Sequence, residues 1–127
     1  MAETVTLAGV GTFRWLRHLG LWEGEEPVEG LMLTLSCPTA DAAQAMRPHV
    51  HAALGRRAAL EPLARARLQL LHGASDDDMA ALRLTGLQLE GSEVTLVFDL
   101  PPGSPVEYLT VSFGAGEQPL RTGGGNY

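Results

Sequence analysis

The stretch from Leu84 to Leu100 limits what this chain can fold into more than any other. It reads L-T-G-L-Q-L-E-G-S-E-V-T-L-V-F-D-L, two alternating runs hinged on Gly91-Ser92. A two-residue loop with glycine first suits a type II′ turn, whose twist matches that of paired strands. Counting outward from that turn sets Leu89 opposite Val94, Leu87 opposite Leu96 and Thr85 opposite Phe98, all on one side. Glu90/Glu93, Gln88/Thr95 and Gly86/Val97 then share the other side. One apolar face and one mostly polar face mark an antiparallel sheet covered on a single side.

The flanking sequence extends this pattern. Val5 and Leu7 alternate weakly in a short leading strand. Phe13 and Trp15, then Leu19 and Leu21, predict a hairpin bent at Arg17-His18, and Leu31, Leu33 and Leu35 predict a third strand ended by Pro38. From Thr39 the period becomes helical. One alanine-rich helix is expected up to Gly55, kinked or restarted at Pro48, and a second from about Arg57 to His72, with Leu60, Leu63/Ala64, Leu68 and Leu70/Leu71 facing inward. Ser75-Asp76-Asp77-Asp78 has the spacing of a capped helix start. After the proline-rich loop at 101–105, Val106 to Phe113 alternates again, and residues 114–127 lack a period and read as a flexible tail. The expectation is a single α+β domain over residues 1–127 with a compact core over about 5–113. Its antiparallel sheet has five to six strands, formed by an N-terminal hairpin plus a third strand and a C-terminal meander. Two main helices from the middle of the chain pack on one face.

Charge is unevenly placed. The net value is −6, and all nine basic residues are arginine. Residues 1–39 carry −3, residues 40–73 carry +3, and residues 74–127 carry −6. Acidic ends argue against nucleic acid and suit a basic protein partner. Without lysine there is no Schiff-base or phosphate-loop chemistry. One cysteine, Cys37, allows no internal disulfide and no cysteine-built metal site. No apolar run approaches the roughly 20 residues of a membrane span, and the first residues do not read as a secretion signal, so a cytoplasmic protein is expected.

No familiar constellation for catalysis emerges. Gly9-Val10-Gly11 lacks the third glycine of a dinucleotide fingerprint, since Arg14 stands there. His49 and His51 fall about 200° apart on a helix and cannot share a metal. Asp76-Asp77-Asp78 lacks the spacing of a calcium loop. Cys37, before a helix start, reads as a half-buried structural thiol. Glu90 and Glu93 flank an exposed hairpin tip, where nothing shifts a carboxyl into acid/base service. Arg56, Arg57, Arg65 and Arg67 read as a solvated helix face. Trp22 stands beside Glu23, Glu25 and Glu26, an aromatic with an acidic collar, and tryptophan is a frequent interface anchor. These four are the candidate partner-binding residues. No catalytic, cofactor or metal residue is assigned.

Gly11-Phe13 followed by L-x-L-W-E-G at Leu19 to Gly24, with the stretch Asp78 to Asp99, resembles a group of small bacterial domains of unknown function. These share a G-x-F…W-x-G N-terminal hairpin, a helical middle and closing strands. The likeness covers roughly residues 9 to 113. Related domains have been suggested to act as immunity proteins that neutralise toxins in bacterial competition, so the resemblance implies a toxin-neutralising interaction domain. Members often carry an aromatic or Gly-His signature where the last strand begins. Here Val106-Glu107-Tyr108 stands instead, and no role for that histidine transfers. The expected function is a non-enzymatic protein-interaction module without a cofactor. The alternatives are an oligomerisation module, or a ligand site or enzyme built where residues such as His49, His72, Asp99 and Glu107 converge.

Overall fold

The computed structural model describes residues 3–127. Eight strands form one sheet in chain order: β1 (Thr4–Leu7), β2 (Gly11–Leu16), β3 (Leu21–Gly24), β4 (Met32–Leu35), β5 (Arg83–Glu90), β6 (Glu93–Asp99), β7 (Tyr108–Phe113) and β8 (Pro119–Gly125). Between β4 and β5 come α1 (Ala40–Ala45), α2 (Arg47–His72) and α3 (Asp76–Ala80). Two antiparallel four-strand meanders thus meet at one parallel pair, β4 with β5. Parallel neighbours need a long crossover, and the helical segment is that crossover. The fold is α+β, as expected, with more strands than alternation alone predicted.

The central hairpin forms as read, with one correction. Leu89 pairs with Val94 and Leu87 with Leu96, and Gly91 turns the chain at φ 58°. A bulge between Leu84 and Gly86 then sets Leu84, not Thr85, opposite Phe98. The extra residue shifts the strand's phase. Thr85 moves to the open face, where its hydroxyl lies 3.2 Å from an Asp99 carboxylate oxygen.

The covered face carries Phe13, Trp22, Leu33, Leu35, Leu87, Leu89, Leu96, Phe98, Val111 and Phe113, all buried. Roofing it is α2, 26 residues long, through Val50, Ala53, Leu60, Ala64 and Leu68. The expected break at Gly55 does not occur. Pro48 sits in the first turn, where its missing N–H costs nothing. Pro62 forfeits the bond to the Ala58 carbonyl, but both residues are on the exposed side, where water can serve that carbonyl. Leu70 and Leu71 were expected to face inward; they are 79% and 54% exposed.

A second correction concerns the tail. Residues 119–125 pair with β7 from Tyr108↔Gly125 to Phe113↔Pro119. Atoms of β7 lie across all three glycines, and at Gly124 a backbone carbonyl is among them. A Cβ at Gly124 would stand 2.8 Å from the Tyr108 carbonyl oxygen, and one at Gly125 would stand 3.1 Å from the Tyr108 hydroxyl. Asn126 caps the Glu107 N–H at 3.1 Å, and the Tyr127 hydroxyl donates to Asp99. Glycine, read in sequence as freedom, serves here as clearance.

Candidate functional site

The residues first suspected do not converge. Trp22 is 1% exposed, its ring 5.1 Å from that of Trp15 inside the core. Its indole N–H finds no protein acceptor among the described residues. Glu23, one residue along the strand, emerges on the opposite face and pairs with Arg14 at 3.4 Å. Glu25 and Glu26 are exposed in the following loop. That region presents acids to solvent and keeps its aromatic inside.

Of the four arginines expected to form a solvated face of α2, Arg67 is exposed, but Arg56, Arg57 and Arg65 are half-buried and bonded. Arg56 donates to the Gly114 and Gly116 carbonyls at 2.9 and 2.7 Å, and Arg57 to the Glu29 carbonyl at 3.2 Å. Arg65 binds the Met79 and Leu82 carbonyls at 3.0 and 3.1 Å and Glu61 at 3.0 Å, its guanidinium 5.1 Å from the centre of the Phe98 ring. Arg56 and Arg57 occupy the inner stripe between Ala53 and Leu60, half-buried. A planar fork of five donors can hold two carbonyls at once, which an ammonium does poorly. The basic middle of the chain therefore rivets loops to the helix.

The open face of the sheet holds one polar residue from each strand from β3 to β8 in a single cross-strand row. Glu23, Thr34, Gln88, Thr95, Ser112 and Arg121 are successive register partners. The Thr95 and Ser112 hydroxyls lie 2.7 Å apart. The notch along this row is about 80 Å³, room for a few waters. Arg121 binds Glu93 at its rim and holds that carboxyl below its usual range.

The large concavity lies elsewhere. A half-open groove of about 790 Å³ runs between the end of α2, α3, the proline-rich loop and β8. Leu68, Met79, Leu82 and Leu109 supply much of its apolar lining, and Leu71 stands on its lip. Thr122, Gly123 and Gly124 form the strand side, with the Leu109 side chain lying over Gly124. The loop holds its shape through Ser104, whose hydroxyl donates to the Pro101 carbonyl at 2.7 Å. Gly73, at φ 61°, ends α2 and turns the chain into α3.

Charge around the groove is one-sided. Asp78 lines it, fixed by the reciprocal cap with Ser75 (3.1 and 3.3 Å), and Asp76 and Asp77 lie exposed in the same turn. Among the described residues no arginine lines it. His72 is its other titratable side chain; His49 instead bonds the Glu93 carbonyl at 3.1 Å, and Asp99 and Glu107 lie outside the lining. The enzyme or ligand reading needs at least two of these four groups in one pocket, and His72 alone lines this groove. Among the described residues no three of His, Cys, Asp and Glu gather as metal ligands. Burial pushes the Cys37 thiol up, away from a reactive thiolate.

The groove was missed in the sequence. Its components, the end of one helix, Leu82, a proline-rich loop and a triple glycine, are far apart in the chain. Taken singly, each reads as a stop or a linker. Compared with known protein families, characterised proteins and solved structures, the chain matches none. Among the described residues no helix is long and apolar enough to cross a membrane.

Proposed function

We propose that this chain is a non-enzymatic protein-interaction module whose groove beside β8 receives an apolar, basic segment of a partner. The observation that carries this is the apolar hollow of about 790 Å³ with carboxylates on its rim and an exposed leucine at its lip. Such hollows lined by aliphatic side chains take apolar anchors, and unpaired rim charge selects partners and speeds encounter. The module is of a kind that would suit a toxin-neutralising immunity protein, in line with the resemblance of its N-terminal hairpin. A basic toxin segment would satisfy both the lining and the rim. Glu25 and Glu26, on the loop after β3, add acidic surface that would favour the same kind of partner.

Selection of short random peptides on the protein, followed by binding to Leu71→Arg, tests this. Leu71 is 54% exposed, so the substitution leaves the core intact. Enriched sequences should combine aliphatic residues with arginine or lysine and bind the variant at least about tenfold more weakly. Failure to enrich any sequence, or peptides that bind Leu71→Arg equally well, would refute the groove as the docking surface.

A further inference from the structure

The two edges of the sheet are treated differently. On β1, the Trp15 N–H donates to the Glu3 carbonyl at 2.9 Å, and the antiparallel alternation turns the Thr6 and Ala8 carbonyls outward. Both are occupied: Gln44 Nε2 donates to Thr6 at 2.7 Å and Arg47 Nε to Ala8 at 2.8 Å. The start of the helical segment thus covers that edge, as sheet proteins commonly do. On β8, among the described residues, no side chain is bonded to a carbonyl between Pro119 and Gly124. Arg56 stops short, at the Gly114 and Gly116 carbonyls of the preceding turn. β8 is thus an outer strand of seven residues, about 23 Å long, with its pairing groups presented outward.

That open edge is also a wall of the groove. Thr122 pairs with Val111 and Gly124 with Leu109, so their positions lie on the helix-covered side, toward the hollow. A strand added beside β8 would send every second side chain to that same side, about 6.6 Å apart. Gly124 puts no side chain between the new strand and the lining around Leu82 and Leu109.

Resting on the interaction reading above, we infer that the partner segment binds as a ninth strand on β8. It is an extended peptide whose alternate aliphatic side chains enter the groove and whose arginine or lysine meets the Asp76–Asp78 turn. Main-chain bonds supply affinity and the alternate pockets supply selectivity. The acidic rim, with no arginine in the lining, fixes the sign of the partner's charge.

The test uses a peptide enriched on the unmodified full chain, synthesised as a series with one backbone N-methyl group per position. Expected is a period-two pattern: methylation at alternate residues weakens binding about tenfold or more and at their neighbours far less. Amide exchange should slow along residues 120–125. A peptide that binds but shows no period-two pattern, or that protects only residues 68–82, overturns strand addition and leaves the interaction reading standing. If no peptide is enriched, the interaction reading itself fails and strand addition falls with it. Protection of β8 that rises with protein concentration in the absence of peptide would assign the edge to a second copy of this chain, which also overturns the proposal.

Discussion

Gly124→Ala isolates the role of the triple glycine. A Cβ there would stand 2.8 Å from the Tyr108 carbonyl oxygen and 2.9 Å from Leu109 Cδ2. The leucine methyl can rotate aside, but the carbonyl belongs to β7 and moves only if the two strands part. Forcing one carbon into such a space costs about 1–3 kcal/mol. Against this, alanine loses less chain entropy on folding, which returns about 0.4–1 kcal/mol. The net expectation is a loss of roughly 1–2 kcal/mol, or about 4–8 °C in midpoint for a chain of this length. Gly116→Ala is the control, since a Cβ there meets nothing within 4 Å. Thermal and urea unfolding of both variants give the measurement. Equal stability of Gly124→Ala and Gly116→Ala would show that the last strand does not pack as described.

Arg65→Met should lower stability by about 3 kcal/mol, because charge-assisted bonds to the Met79 and Leu82 carbonyls are lost where water has limited access. Arg65→Lys should recover only part of this, since one ammonium cannot span both carbonyls; urea midpoints decide, and full recovery would contradict the fork reading. The Tyr127 phenol is pushed up to about 12, first by loss of water around its hydroxyl and then by its bond to the Asp99 carboxylate, although the residue as a whole is 76% exposed. A raised folded value means that its contribution is fully present below the ordinary phenol value of about 10 and is lost as pH rises through about 12. Ultraviolet titration should show Tyr127 ionising late, and Asp99→Asn should bring it down.

Local pattern was enough for the strands of the central hairpin, its turn, the covered face and the capped start at Ser75. Each depends on residues a few positions apart, with a period that the backbone imposes. The same logic failed where a side chain's partner is distant. Gly55 made one helix read as two, and Arg56 and Arg57 read as solvated, because the carbonyls they bind are contributed by loops around residues 29 and 115. Trp22 looked like an anchor beside its acids, but strand alternation sends it into the core and Glu23 to the other face. Taken by itself, then, the amino-acid order determined an α+β chain with a one-sided sheet roofed by its middle segment, since hydrophobic periodicity is a local property. Only the tertiary structure decided that Gly123-Gly124-Gly125 is a strand, that β1 is capped while β8 stays open, and that a groove forms beside it. Those outcomes depend on what lies across the space a missing side chain leaves, which no local window of sequence contains.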